Sequence, residues 1–393
     1  MEAKVARKPI IAYFSEVKDP RTNRNKLRKY PLIEVIVITI LAVISSAKGW
    51  EDIERYGKAK RKWLEKFLPL EHGIPKHDVY RLVFIKLGPT EIEQCFMNWV
   101  RDIKQSISRE VIAIDGKAVR GTFNAESGKS LHLVSAWATA NKLIFGQVKT
   151  DEKSNEITAI PHLLEKIALE GCIVTIDAMG CQHAIAEQIV RKKADYVFSL
   201  KGNKGNLHEA VEEYWEGLDF NAPVSAQARH IRFNSTSTHD TGHGREEYRD
   251  YAVSDDVAWL HKEFPLWKTI RSIGMVEETR AEGEKITIGR RYFVSSLEAD
   301  VELFAHAVRS HWGIENSLHY VLDVAFGEDA CRIRTDKGPE NMAFIRKIAL
   351  TLARSDKESK SSMVGRLKQM GWDNDYLEQM LFDSGFGANS AAG

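Results

Sequence analysis

Apolar residues at helical spacing fill the first quarter of the chain. From residue 31 to residue 107, apolar stretches alternate with charged faces, and this period predicts helices. Glycine and proline interrupt the pattern at residues 73–75 and 88–89, where helices are expected to end. The most apolar run, residues 35–44, is too short to cross a bilayer and predicts a buried helix. We therefore predict a helical N-terminal domain over residues 1–108 and no membrane association.

From residue 110 the pattern becomes that of strands. Apolar runs at residues 111–114, 131–139 and 143–148 predict three successive strands. Alternating helices and strands follow at residues 157–167, 172–176, 183–193 and 196–200. Three strands followed by alternating helices and strands is the order of a ribonuclease-H-like fold, an α/β class with a mixed sheet flanked by helices.

The order breaks after residue 202. Short alternating segments at residues 248–253, 269–276 and 285–294 predict a β-rich insertion over residues 203–291. Helical spacing returns at residues 300–325 and 341–353. We predict a ribonuclease-H-like catalytic domain over residues 109–202 and 292–354, with residues 355–393 as a C-terminal tail.

Three acidic residues lie where a metal-dependent nuclease needs them. Asp115 and Asp177 each end an apolar run that predicts a strand, and Glu315 lies on a predicted helix. Two carboxylates at strand ends and a third on a covering helix can meet at one point and hold a pair of divalent cations. Oxygen ligands suit Mg²⁺, with Mn²⁺ as a substitute. We predict Asp115, Asp177 and Glu315 as the catalytic residues and as the ligands of two Mg²⁺ ions.

Simpler explanations exist for two of these acids. Asp115 is followed by Gly116, and Asp-Gly after a strand is a strong signal for a hairpin turn. Asp177, between a strand and a helix, has the position of a helix N-cap.

The segment around Glu315 is more distinctive. His311, Glu315, His319 and Asp323 recur every four residues, so they share one helix face. Trp312, Ile314 and Leu318 flank Glu315 and predict that its carboxylate is partly enclosed. A zinc site formed by His311, Glu315 and His319 is an alternative, although no HExxH motif is present.

The overall charge does not indicate a partner, since 56 Lys and Arg residues balance 55 Asp and Glu residues. Local basic runs exist at residues 21–28 and 58–66, and each is equally consistent with DNA contact or with a solvated helix face. The four cysteines form no CxxC pair and no signal peptide is visible, so we expect reduced thiols and a cytoplasmic protein.

Taken together, the motifs resemble those of bacterial insertion-sequence transposases of the DDE class, in the group that includes the H-repeat-associated proteins of Rhs elements. The matching stretches are spread over about nine-tenths of the chain. They are residues 19–21, 30–32, 114–117, 153–157, 176–178, 200–203, 243–245, 309–316, 322–324 and 328–329. Related enzymes carry Tyr, Arg and Lys where this chain has Val308, His311 and Leu322.

The resemblance implies a DNA transposase that cleaves transposon ends and transfers strands to target DNA by two-metal phosphoryl transfer. It gives the three acids their metal-binding role and the N-terminal domain a role in DNA binding. Because two ends must be brought together, we expect a homodimer on double-stranded DNA in the bacterial nucleoid. A domesticated DNA-binding protein without activity, or a ribonuclease-H-fold nuclease without strand transfer, is the alternative.

Basic residues near the acids and in the N-terminal domain are the candidates for DNA contact. They are Lys117, Arg120, Lys153, Lys201, Lys204, Arg245, Arg309, His311, His319, Arg332 and Arg334, with Arg24, Arg28, Lys60 and Arg61 in the N-terminal domain.

Overall fold

A computed structural model describes the chain in several stretches. They are residues 10–21, 26–103, 107–124, 128–150, 156–202, 205–216, 218, 220, 232–242, 244–354, 356 and 359–383. The N-terminal part is helical, as predicted. Its helices are α1 (Ile10–Phe14), α2 (Leu32–Ile44), α3 (Trp50–Leu64), α4 (His77–Lys86) and α5 (Pro89–Ile103).

Helix α2 is the centre of this helical part. Nearly all of its residues are buried, which confirms the prediction of a buried helix over residues 35–44. A helix that is apolar on every side must be covered on every side. Within the described stretches, no helix combines the length and apolar character that crossing a bilayer requires.

A mixed sheet of nine strands forms the rest of the core, in the order β3-β2-β1-β4-β5-β9-β8-β7-β6. The strands are β1 (Val111–Asn124), β2 (Lys129–Ala138), β3 (Leu143–Lys149), β4 (Ile173–Ile176), β5 (Asp195–Leu200), β6 (Asn234–Gly242), β7 (Arg245–Ser254), β8 (Ser272–Glu282) and β9 (Lys285–Ser295). Strands β1, β4 and β5 run parallel, and the other pairs are antiparallel. This is the mixed sheet of the predicted ribonuclease-H-like class.

The β-rich segment lies at one end of this same sheet. Strand β9 pairs with β5, with Val197 opposite Ser295, and β8, β7 and β6 follow as a meander. The remaining connections carry helices α8 (Asn206–Tyr214) and α9 (Ala258–Glu263).

Strand β1 is much longer than predicted. It continues through Asp115 and Gly116, which pair with Ser135 and Val134 of β2, so the alternative explanation of Asp115-Gly116 as a hairpin turn is wrong. Glycine leaves room at 116 for the Glu156 carboxylate, which would lie 2.0 Å from a Cβ there and would have to shift. Asp115 therefore lies within a strand and not at its end.

Helices cover both faces of the sheet. One face carries α6 (Glu156–Lys166) and α7 (His183–Arg191), and the other carries α10 (Val301–His311), α11 (Tyr320–Val324) and α12 (Gly338–Ala353). On that second face, His311 of α10 contacts Thr175, and Lys347 of α12 contacts Ser135. The predicted helix over residues 300–325 is divided between α10 and α11. The C-terminal tail holds two helices that were not predicted, α13 (Met363–Trp372) and α14 (Asn374–Asp383).

Candidate active site

All three predicted acids line one cavity of about 450 Å³. Ile114 of β1 pairs with Ile176 of β4, so the next residues, Asp115 and Asp177, lie side by side at the edge where these parallel strands run out of the core. Glu315 reaches the cavity from the helical segment above the sheet. The sheet register and the covering helices thus bring together residues that are 200 positions apart in the chain.

Asp115 and Glu315 form a close group with His319. The His319 Nδ1 atom lies 3.4 Å from Asp115 Oδ2 and 3.6 Å from Glu315 Oε2. One ligand atom from each residue lies within 4.8 Å of the others. Burial, and then the adjacent Glu315 carboxylate, raises the pKa of Asp115 to about 8, whereas the His319 imidazole lowers the pKa of Glu315 to about 2. Without a cation, the two carboxyl groups hold one proton between them at neutral pH.

Asp177 lines the same cavity and is not part of this close group. Its Oδ1 atom accepts hydrogen bonds from the backbone N–H groups of Met179 (3.0 Å) and Gly180 (3.4 Å). These bonds fix the carboxylate in the turn after β4. Helix α7 begins later, with Gln182 at its N-cap, so the N-cap alternative for Asp177 is wrong.

A π-helical turn, Glu315–His319, carries the third acid and separates α10 from α11. The backbone N–H of Tyr320 donates to the Glu315 carbonyl oxygen, five residues earlier. Single π-helical turns within α-helices are frequent at functional sites.

The Glu315 side chain is only partly enclosed, since 53% of it is exposed, against 17% for Asp115. Ile314 and Leu318 are buried in the core, but Trp312 is half exposed and leaves the Glu315 carboxylate open to the cavity.

His311 faces the cavity beside Asp177 without joining the acidic group. Its Nδ1 atom lies 3.0 Å from the Thr175 hydroxyl oxygen. Burial lowers the pKa of His311 to about 4, so the imidazole is neutral at pH 7. A zinc site of His311, Glu315 and His319 is therefore not formed, since Asp115 takes the place of His311 in the close group.

Lys117 is two residues beyond Asp115 on the same face of β1 and lies within an acidic cluster. Its Nζ atom is 2.5 Å from Asp323, 3.3 Å from Glu328 and 3.4 Å from Asp329. The ammonium group that was predicted to contact DNA is thus surrounded by protein carboxylates.

Other candidate cations also have partners within the protein. Arg309 and Arg245 contact Asp240 and Glu247, at 2.9 Å and 3.8 Å, and Arg334 donates to the Gly121 carbonyl oxygen. In the N-terminal part, Arg28, Lys60 and Arg61 contact Asp19, Asn374 and Glu65. Lys153, Lys204 and Arg24 lie outside the described residues.

Three further candidate cations are exposed: Lys201 lies at the cavity, and Arg120 and Arg332 lie near the far end of β1. The Arg120 side chain is 86% exposed. Arg291, which was not predicted, also lines the cavity, and its guanidinium lies 5.5 Å from the centre of the Trp312 ring. Strand β9 reaches the site through its pairing with β5, and no local sequence signal indicates that pairing.

Lys347 was also missed. It is fully buried in α12, and its Nζ atom donates to the hydroxyl of Ser135 (2.7 Å) and to the amide oxygen of Gln147. Ser135 is the cross-strand neighbour of Asp115. Burial lowers the pKa of Lys347 to about 8. The sequence signal that could have identified Lys347 is the presence of a lysine within the predicted apolar helix at residues 341–353.

The close group has the donor set of a divalent-cation site. Two carboxylates and an imidazole supply oxygen and nitrogen ligands, and a cation would offset both the burial and the adjacent Glu315 carboxylate that raise the pKa of Asp115. Asp177, in the same cavity, offers a further carboxylate oxygen. The residues present therefore fit divalent metal ions.

Comparison with known families gives two matches that together cover most of the chain. A family described as "Transposase DDE domain" matches residues 107–352. A second, described as "DDE_Tnp_1-associated", matches residues 11–100.

Several curated proteins are similar over nearly their whole length. The "H repeat-associated putative transposase YhhI" of Escherichia coli K12 is 37% identical over 386 residues, which are 96% of this chain and 99% of that protein. "Putative transposase YncI" of Escherichia coli O157:H7 is 38% identical over 381 residues, or 95% of this chain and 94% of that protein. "Putative protein YbfL" of Escherichia coli K12 is 38% identical over 365 residues, with coverages of 91% and 94%.

Proposed function

This chain belongs to the family of transposases that carry a DDE domain, as its motifs predicted, and from that premise we propose that it cleaves DNA at transposon ends and joins them to target DNA. Asp115, Asp177 and Glu315 are the proposed catalytic residues and ligands of two Mg²⁺ ions. The observation that carries the proposal is the meeting of these three acids in one cavity.

Each acid has a distinct part in this proposal. Asp115 lies between the other two, because it adjoins Asp177 across the sheet and Glu315 across the cavity. It therefore supplies a carboxylate to both halves of the site. When bound, divalent cations activate the attacking oxygen and stabilise the leaving oxygen of a phosphodiester. The proton that Asp115 and Glu315 hold between them must leave before both carboxylates can act as ligands.

The cavity mouth supports the binding of a phosphate backbone. Lys201 and Arg291 line it and supply positive charge next to the acids. Trp312 stands at the rim beneath the Arg291 guanidinium. Lys201 is exposed, and Arg291 has one ion pair with Glu278, at 3.5 Å, so both are available to orient DNA over the acids.

DNA contact outside the cavity is proposed for the accessible end of β1 and for the N-terminal domain, residues 1–108. Arg120 and Arg332 are exposed at the end of β1. The N-terminal match to the DDE_Tnp_1-associated family supports a role of that domain in the same reaction. We also propose that two copies of the chain hold two transposon ends, because both ends must be cut and joined together.

The test is a cleavage assay with DNA that carries the ends flanking this reading frame. With Mg²⁺, the wild-type protein should nick this DNA and join the freed 3′ ends to a target plasmid. Asp115→Asn, Asp177→Asn and Glu315→Gln should each reduce nicking by at least about 10³-fold, since each removes a metal ligand. Glu302→Gln, an exposed acid on α10, is the matched control and should retain full activity.

The products distinguish the alternatives. Joined DNA supports a transposase, hydrolysis without joining supports a nuclease, and DNA binding without either supports a domesticated binding protein. Undiminished nicking by any of the three variants would remove that residue from the proposed site.

A further inference from the structure

His319 directs its Nδ1 atom at both carboxylates of the close group. It lies 3.4 Å from Asp115 and 3.6 Å from Glu315, and only 6% of its side chain is exposed. One ligand atom from each of the three residues lies within 4.8 Å of the others, so the nitrogen is close to the acid oxygens that would hold a cation. A metal ion bound by Asp115 and Glu315 would therefore meet this imidazole as well.

The backbone holds the imidazole in this position. Glu315 and His319 are the first and last residues of the π-helical turn. In a continuous α-helix the side chains would follow the regular four-residue spacing. The wider π-helical turn alters the relative direction of these two side chains, and one ligand atom of each lies within 4.8 Å of a carboxylate oxygen of Asp115. This local departure from α-helical geometry is thus located at the two residues that the site uses.

The other ring nitrogen does not explain the orientation. Among the described residues, His319 Nε2 is buried and has no hydrogen-bond partner. A buried polar atom without a partner is unfavourable, so the ring is held in place by other interactions. The polar interactions that can orient the ring are those of Nδ1, which faces the two acids.

Nitrogen and oxygen donors select different metals. Mg²⁺ favours oxygen ligands, whereas Mn²⁺ and the later divalent metals accept imidazole nitrogen as well. We infer that His319 is a fourth metal ligand, bound through Nδ1 beside Asp115 and Glu315, and that it makes this half of the site prefer Mn²⁺ to Mg²⁺. The inference rests on the proposed function and adds a ligand to the three acids.

The experiment uses Mn²⁺ bound to the full-length protein without DNA. Electron paramagnetic resonance measures Mn²⁺ affinity, and electron spin echo envelope modulation detects a ¹⁴N nucleus bound to the ion. Wild-type protein should show directly coordinated ¹⁴N. His319→Gln should lose this signal and bind Mn²⁺ about tenfold more weakly. Its affinity for Mg²⁺, measured by competition with Mn²⁺, should change by less than about threefold.

His311→Gln is the matched control, because His311 lines the cavity with Asp115 and Glu315 while its Nδ1 atom lies 3.0 Å from the Thr175 hydroxyl oxygen. It should retain the ¹⁴N signal. Circular dichroism and thermal unfolding establish that both variants are folded. If His319→Gln does not fold, His319→Asn and His319→Cys replace it, and in either the nitrogen signal of the imidazole must disappear.

Three results would overturn the inference, and they distinguish its failure from that of the proposed function. Mn²⁺ binding that depends on Asp115 but shows no ¹⁴N coupling, or a coupling that persists in His319→Gln, means that His319 is only a counter-ion of the acids. The proposed function would survive that result. If Mn²⁺ binding does not depend on Asp115, and DNA cleavage is also absent, the proposed function itself fails.

Discussion

The ammonium of Lys117 lies 2.5 Å from a carboxylate oxygen of Asp323, a residue 206 positions later in the chain. Lys117 follows Asp115 by two residues on β1, and Asp323 follows Glu315 by eight residues. The ion pair therefore joins the strand of the first acid to the helix that follows the third. Glu328, which is 1% exposed, and Asp329 complete the cluster around the same ammonium. Lys117 stabilises the relative position of the acids from within the protein.

Replacing Lys117 with methionine should destabilise the fold strongly. The change leaves the buried Glu328 carboxylate with Arg346, 3.6 Å away, as its remaining ion-pair partner. A buried charge left with no partner costs about 3–5 kcal/mol, and because Arg346 still compensates part of the Glu328 charge we expect a loss of about 3 kcal/mol. Urea denaturation of the full-length protein measures the change in the free energy of unfolding.

Lys193→Met is the control for this prediction. Lys193 and Glu170 form an ion pair 3.0 Å apart in which both side chains are about three-quarters exposed. Exposed pairs of this kind contribute about 1 kcal/mol or less. Equal free energies of unfolding for the Lys117 and Lys193 variants would show that the cluster does not stabilise the fold.

The carboxyl group of Asp115 makes the stability of the metal-free protein dependent on pH. Its pKa is raised to about 8, from 3.8, because burial and Glu315 disfavour the charged form. The folded state therefore holds the Asp115 proton over a range in which the unfolded state has lost it, and the contribution of Asp115 to stability decreases as the pH rises from about 4 to about 8. An asparagine side chain at this position would carry no charge at any pH. We expect Asp115→Asn to stabilise the metal-free protein by roughly 1–3 kcal/mol at pH 8 and by little near pH 4.

Chemical denaturation in the presence of a chelator, at several pH values between about 4.5 and 8, checks this expectation. Glu302→Gln, at an exposed acid, should show the same difference from wild type at every pH. A variant at Asp115 that is less stable than wild type at pH 8 would contradict the raised pKa and its cause.

Two glycines of β1 should respond differently to alanine. A Cβ at Gly116 would meet the far ends of the Glu156 and His132 side chains, which can move at the loss of their 2.9 Å contact. A Cβ at Gly121 would lie 2.4 Å from the Cys331 carbonyl oxygen and 2.5 Å from that of Asp329, which are backbone atoms. We expect destabilisation of about 1 kcal/mol for Gly116→Ala and about 3 kcal/mol for Gly121→Ala. The same denaturation assay tests the order, and a reversed order would contradict the close packing at Gly121.

Gly121 also shows why much of the site could not be predicted. Its close contact with the backbone of residues 329–331, like the ion pair of Lys117, joins positions more than 200 residues apart. Such pairing is set by the complete sheet and its covering helices. The pairing of β9 with β5, which brings Arg291 to the cavity, is equally invisible to local patterns.

Local patterns were sufficient where burial alone determines the structure. The apolar runs that become α2, β4 and β5 are largely buried and were predicted close to their observed bounds. The pattern failed at Asp115-Gly116, where a turn signal lies inside a long strand, because glycine serves a close approach there. The pattern also failed to predict the π-helical turn at Glu315, because the helical spacing of apolar residues continues through that turn.

The exposed end of β1 provides the last prediction, on DNA binding. Arg120 and Arg332 are exposed there, and Arg120 has a distant contact with Asp329, at 3.7 Å.

Each phosphate contact releases counterions when DNA binds. Each contact therefore adds about 0.9 to the steepness with which the logarithm of the DNA-binding constant falls against the logarithm of the salt concentration. The double variant Arg120→Ala/Arg332→Ala should bind duplex DNA more weakly at low salt and reduce that slope by about 2. Fluorescence anisotropy with a labelled duplex over a range of KCl concentrations measures both quantities. Lys193→Met, which neutralises a cation on another part of the surface, should leave the slope unchanged. An unchanged slope in the double variant would mean that the end of β1 faces solvent when DNA is bound.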